Sequence, residues 1–237
     1  AVTVDTNPNI WDAFINLFSK HAYHYSRFNS GLFRQKLVDI LSNNHFDIIQ
    51  LEGLYLMQYA PEIRNYSSAR IVLRAHNIEH EIWERTLNNL PFSPKKVYLQ
   101  MQTKRLKKFE TEQVAACDAL VSISHSDYKK LSMLAPAKPI VHIPIGFSCS
   151  STLSAQDFET EGKVAHLGSM DWMPNHLGVK WFAEKVWPQV LQAVPSVQLF
   201  LAGRNMPQDL MALHGVQNIH VAGEVDSSFD FLKDKTM

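Results

Sequence analysis

Short runs rich in Ile and Val alternate with longer amphipathic stretches along this chain, and that alternation restricts its fold more than any other property. Residues 46–51 (FDIIQL), 70–75 (RIVLRA), 119–124 (ALVSIS) and 140–145 (IVHIPI) are short, apolar and bounded by polar or turn residues, so they read as buried strands. Helical spacing fills the intervals at roughly 53–64, 79–89, 94–116 and 125–134, the third opened by Ser93 as a cap with Pro94 in the first turn. The order βαβαβαβ requires a parallel sheet with helices packed on it through right-handed crossovers.

After residue 145 the character changes. Residues 148–162 (SCSSTLSAQDFETEG) are polar and acidic, as an exposed linker would be. The alternation then restarts with a strand at 164–167, a helix at 175–194, a strand at 197–202, a short helix at 207–214, a strand at 219–222 and a helix from Asp226. The expected fold class is therefore α/β, with two Rossmann-like parallel-sheet domains: 1–147, in which the first strand is not recognisable, then the linker 148–162, then 163–237. Two complete domains of this kind would need ~350–400 residues, so the chain of 237 is expected to hold the second only in part. Its start without Met and its end on FLKDKTM fit the edges of a longer protein.

Composition narrows the partners. Lys and Arg number 23 against 23 Asp and Glu, so no global field draws nucleic acid or anionic lipid, and any basic site must be local. One such site is the run Lys95, Lys96, Lys104, Arg105, Lys107 and Lys108 on a single helix. It reads either as a solvated face partly offset by Glu110 and Glu112 or as a contact with an anionic membrane. Cys117 and Cys149 are too few for a disulfide scaffold and read as reduced thiols of a cytoplasmic protein. No apolar window approaches the ~18 residues of a membrane span, and the first residues lack the pattern of a signal peptide.

The chemistry is expected where the strands end. Glu52-Gly53, His76-Asn77, Ser124-His125, Gly146, Gly168-Ser169, Gly203-Arg204 and Gly223-Glu224 each follow a strand. In open α/β sheets ligands bind outside the carboxyl ends of strands, beside helix N-termini. Two such domains facing each other would suit bringing two substrates together. The segment His76-Asn77-Ile78-Glu79-His80 also matches H-x-x-E-H, the pattern of inverted zinc peptidases. His76, however, closes a strand while His80 opens a helix, and no third ligand follows, so a metal is not expected. His76 alone, at a strand end, reads either as a cleft hydrogen-bonding group or as a helix cap. Trp181 to Trp187 have core spacing, which leaves Trp172 as the aromatic residue placed to touch a ligand.

Taken together, FDIIQLEG, VLRAHNIEHEIWER, LVSISHSDYKKL, VHIPIGFS, VAHLGSMDWMPNHLGVKWF, VQLFLAGRNMP and IHVAGEVDS occur in an order and spacing that resemble the family 4 (group 1) glycosyltransferases with the GT-B fold, over residues 46–237. The resemblance implies an acceptor-side domain, a second domain binding a nucleotide-diphosphate sugar as co-substrate, and metal-independent transfer with retention to a saccharide or lipid-linked acceptor. It implies that His76 contacts the transferred sugar as the catalytic-site histidine, with Asn77 following it, Glu52 a polar cleft residue and Ser124 a polar strand end. In the second domain it implies donor contacts from Gly168, Ser169, Asp171, Trp172 and Asn175, and then from Gly203, Arg204 and Glu224. The sequence departs from the family where an Arg and a Lys usually clamp the diphosphate: those positions read Ser169 and approximately Asn175 or His176. Ile145 and Ser148 replace the usual Asn and Asp of the interdomain connection, and the paired glutamates of the family are absent. A hexosyltransferase-like enzyme of polysaccharide biosynthesis, cytoplasmic or on the inner face of a membrane, is the expectation, although this stretch alone need not be active. The alternatives are a non-catalytic nucleotide- or glycan-binding relative and the zinc peptidase.

Overall fold

The computed structural model describes residues 2–4, 6–88, 90–146, 162–233 and 235. The chain divides into two compact units, Ala1–Phe147 and Ser148–Met237. The expected linker, with Ser148 and Cys149, lies almost entirely outside the described residues.

In the first unit the strands β1 (Ile48–Glu52), β2 (Arg70–Ala75), β3 (Ala119–Ser122) and β4 (Ile140–His142) form one parallel sheet in sequence order. A 3-10 helix, Leu54–Tyr59, and α4 (Ala60–Tyr66) connect β1 to β2; α5 (Glu79–Asn88) and α6 (Pro94–Ala116) connect β2 to β3; α7 (His125–Leu134) leads to β4. Right-handed crossovers between strands laid down in order place these helices on one face. The core agrees: Leu51, Ile71, Leu73, Ala75 and Leu120 point into it with Met57, Ile63, Leu106, Val114 and Leu131. Alternation along each strand then sends Gln50, Glu52 and Arg74 to the opposite face, and the register pairs Glu52 with Arg74.

The sequence reading assigned nothing before residue 46. Three helices fill that stretch: α1 (Ile10–Asn16), α2 (Tyr23–Ser26) and α3 (Gly31–Asn43), with Asn9 capping α1 and Ser30 capping α3. The segment of α2 docks through aromatic contacts, Tyr25 stacking on Phe109 at 3.6 Å and Phe28 on Tyr55 at 4.5 Å.

Other boundaries shift for local reasons. The expected helix at 53–64 begins as a 3-10 turn because Pro61 has no N–H to donate to a longer one, and the α-helix starts around that proline. Strand β3 stops at Ser122, since Ser124 is already committed as the N-cap of α7 through its bond to Asp127 N. Strand β4 stops at His142, before Pro144.

In the second unit β5 (Lys163–Leu167), β6 (Gln198–Ala202) and β7 (Ile219–Gly223) form a parallel sheet in that order. Its core joins Leu199, Leu201, Ile219 and Val221 to Val179, Ala183, Trp187 and Leu210. The long helix expected at 175–194 is interrupted: α8 (Met173–Trp181) passes through a π turn, Phe182–Val186, into α9 (Trp187–Ala193). Pro188 explains the interruption, because it cannot donate and its ring would strike the carbonyl of Glu184 in a continuous α-helix. The turn also separates the tryptophans. Trp187 is fully buried and donates Nε1–H to Gln217 O at 2.7 Å, whereas Trp181, expected in the core, is 60% exposed. The unit continues with α10 (Gln208–Met211) and α11 (Ser228–Leu232), the latter capped by Ser227.

Candidate active site

At the carboxyl ends of β1 and β2 the first unit gathers a compact polar cluster. His76 Nε2 lies 2.9 Å from Glu52 Oε2, Arg74 donates to the same oxygen at 3.1 Å, and Gln50 donates to Glu52 Oε1 at 2.6 Å. These hydrogen bonds, that of His76 foremost and Gln50 next, hold the Glu52 carboxyl below its ordinary range. Glu52 and His76 remain about half exposed, so the pair is available to a ligand. A charged carboxylate only accepts, so His76 donates Nε2–H to it, the tautomer that leaves Nδ1 as an acceptor whenever the ring carries one proton. Gly53 follows Glu52 with a backbone at φ +98° that side chains disfavour, and a Cβ there would make only ordinary contact, 4.0 Å, with His76 Nδ1.

Behind this cluster lies a buried network built from the same H-x-x-E-H segment. Glu110, on α6, accepts from the backbone N–H of Glu79 at 2.9 Å and of His80 at 3.1 Å, and its Oε2 lies 2.5 Å from His80 Nδ1. It therefore caps the N-terminus of α5 from another helix. Glu79 in turn accepts from Tyr55 OH at 2.9 Å and from the Asn77 side chain, while burial pushes its carboxyl up. His76 and His80 thus point to different partners, one exposed and one buried. Among the described residues no group of three or more His, Cys, Asp and Glu is placed to hold a metal ion. Ser124 is occupied in capping α7. Glu110, read in the sequence as part of a solvated face, is 2% exposed. Its register on α6 with buried Thr103, Leu106 and Val114 was the available signal.

In the second unit the three strand ends converge. A cavity of about 240 Å³ is lined by Gly168, Ser169, Gly203, Arg204, Glu224 and Ser228 together with Leu167 and Val225. Gly168 N donates to Ala202 O at 3.1 Å and Gly203 N to Gly223 O at 2.7 Å, which ties the turns together. Only glycine fits at 203: with φ +153°, a Cβ would stand 1.7 Å from Gly168 O. Arg204 Nε lies 3.5 Å from Glu224 Oε1, both side chains being exposed.

Asp171 and Asn175 act on this cavity indirectly. Asp171 accepts from Ser169 Oγ and, at 3.2 Å, from Asn205 Nδ2, and Asn175 Nδ2 donates to Ser169 O at 3.0 Å. The Ser169 hydroxyl is the main cause that holds the Asp171 carboxyl down. Trp172, half exposed at the start of α8, does not line the cavity. His176 and Lys180 both bind Asp209, at 3.0 Å each, and hold its carboxyl down to about 2, Lys180 foremost.

No protein-family profile matches the sequence, and no curated protein matches it. Solved structures do. TarM matches with TM-score 0.58 at 16% identity over 84% of this chain and 37% of its own, and a single-site variant of S. aureus TarM in complex with fondaparinux, α-GlcNAc-glycerol and UDP with TM-score 0.55 at 15% over 84% and 38%. The fold is that of the GT-B glycosyltransferases. Sucrose-phosphate synthase of Thermosynechococcus elongatus matches with TM-score 0.54 at 14% identity over 85% of this chain and 51% of its own. A UDP-forming α,α-trehalose-phosphate synthase of Burkholderia xenovorans matches with TM-score 0.55 at 12% over 97% and 60%. The chain thus spans between 37% and 60% of the length of these structures.

Proposed function

We propose that this chain serves a glycosyltransferase, of the family 4 type, that moves a sugar from a nucleotide-diphosphate donor to a saccharide or lipid-linked acceptor with retention of configuration. The observation that carries this reading is the convergence of Ser169, Arg204 and Glu224 on one cavity at the carboxyl ends of β5, β6 and β7, in a fold shared with a UDP-forming synthase and with TarM bound to UDP. Arg204 brings a fixed fork of donors that matches phosphate oxygens. In this reading it offsets the Arg and Lys missing at 169 and at 175 or 176, while Glu224 accepts from ribose or base. In the first unit His76 Nδ1 accepts a hydroxyl of the transferred sugar, with Glu52 fixing its tautomer and Asn77 beside it. Oriented donors stabilise the departing diphosphate without a metal.

The setting of this reading is the cytoplasmic side of a membrane, with the lysine-rich α6 facing anionic headgroups; no described helix is long and apolar enough to cross the bilayer. A second reading, a relative that binds nucleotide or glycan without transfer, is favoured by the engagement of Lys180 and His176 with Asp209, which withholds both side chains from a phosphate. Transfer from a panel of radiolabelled nucleotide sugars distinguishes the two. The chain, within the full protein, transfers label from one donor, and His76→Ala lowers that rate by about 100-fold or more. Binding without transfer by the full protein would support the second reading.

A further inference from the structure

Arg27, just past the end of α2, stands without an acceptor. Every other arginine bonds or pairs with a carboxylate or carbonyl oxygen. Arg27 has no such partner among the described residues, although its Nε is buried. Its guanidinium carbon lies 5.2 Å from the centroid of the Phe28 ring, a contact that supplies no oxygen. A guanidinium partly withdrawn from water and left without an acceptor is costly, so its placement calls for an anion.

Arg27 lines a cavity of about 420 Å³ together with Asp12, Asn16, Ser19, Ser26 and Asn29, within the ~300–1,000 Å³ of small-molecule sites. A chain of bonds fixes what Asn16 offers there. Tyr23 N–H donates to Gln102 Oε1 at 2.8 Å, so the Gln102 amide presents Nε2, which donates to Asn16 Oδ1 at 2.9 Å. Asn16 is left with Nδ2, from which no described residue accepts, as a second donor in the cavity. Asp12, exposed on α1, makes no ion pair with Arg27 and supplies an acceptor for hydroxyls. Ser19 Oγ accepts from His21 N–H at 3.0 Å and so keeps its own proton to donate. Donors for an oxyanion beside groups for hydroxyls match a saccharide that carries an acidic substituent. The cavity also adjoins the strand ends of the first unit: Phe28 stacks on Tyr55, whose hydroxyl bonds Glu79, close beyond His76.

We propose that this cavity is a subsite for an acidic group, carboxylate or phosphate, on the acceptor saccharide, with the Arg27 fork on its oxygens and Asn16 Nδ2 adding a further N–H. The acceptor role rests on the transferase reading; the binding itself does not. Titrations of the full chain test it, followed by heteronuclear NMR through the side-chain N–H signals of Arg27 and Asn16, with circular dichroism confirming that each variant is folded. The ligands are glucuronate, glucose 6-phosphate, glucose and inorganic phosphate, with no nucleotide sugar present. At least one acidic sugar shifts both signals saturably, glucose binds at least about tenfold more weakly, and the tighter acidic sugar names the group. Arg27→Gln lowers the affinity for that sugar to the level of glucose, read through Asn16. Arg27→Lys retains part of it, since a point charge replaces the fork, and carries the comparison if Arg27→Gln does not fold. Glucose binding as tightly as the acidic sugars, a preference that survives Arg27→Gln, or no saturable shift with any ligand overturns the inference. Inorganic phosphate binding as tightly as the preferred sugar leaves a bare anion site and overturns the saccharide assignment. A full protein that binds the acidic sugar but transfers no label keeps the binding site and contradicts the transferase reading instead.

Discussion

Glu110 carries three interactions that water cannot replace: two backbone N–H groups at the start of α5 and the His80 ring. Truncation to Ala leaves them buried and unpaired. Glu110→Ala is therefore expected to destabilise the first unit by about 3 kcal/mol or more in denaturant unfolding, with Glu110→Gln losing less. Glu79 behaves in the opposite way. Burial raises its carboxyl pKa, so its favourable contribution is complete below the ordinary glutamate range and is lost as pH rises through the folded value. Glu79→Gln, which still accepts from Tyr55, is expected to raise the Tm by roughly 2–4 °C at neutral pH, and the gain should vanish below about pH 4. His24 sets a further window. Burial first, and Arg27 second, lower it from 6.5 to about 4, so the folded state holds it neutral while the unfolded chain takes a proton below 6.5. Stability then falls between those values, and His24→Gln should flatten that part of the acid unfolding curve. In these residues the sequence was readable only in part: H-x-x-E-H drew attention to the right segment, but its two histidines serve different networks because one ends a strand and the other begins a helix.

At the scale of elements the strands were the most legible feature, since a parallel strand buried among helices must be a short run of Ile, Val and Leu whatever its neighbours are. The glycines at their ends were equally readable, and Gly203 shows why. With Gly168 O so near, Gly203→Ala must push the first two turns of the second unit apart, and a loss of at least about 3 kcal/mol is expected by thermal or chemical unfolding of that unit. What periodicity missed were the places where a local group competes with the pattern. Pro188 inserts a π turn into a stretch of continuous helical spacing and so turns Trp181 outward, while Ser124 ends β3 early because its hydroxyl is needed as a cap. The first helices were illegible for a different reason. The outward face of α1 is apolar and a buried side chain polar, so its pattern does not report which side faces the core.

Across the whole molecule, the two units each place their polar residues at the carboxyl ends of a parallel sheet, as open α/β sheets do. The first unit offers an exposed carboxylate and imidazole pair, the second a cavity with an arginine and a glutamate, so the two strand-end sites differ in chemistry. Fold likeness to structures of 12% to 16% identity fixes the architecture, and the proposed nucleotide site rests on the side chains around the cavity of the second unit. Titration calorimetry with UDP tests that site most directly. The account predicts saturable binding by the parent chain and an affinity lower by about tenfold or more in Arg204→Ala. Equal affinity in the two proteins, or no binding of any nucleoside diphosphate, would contradict it.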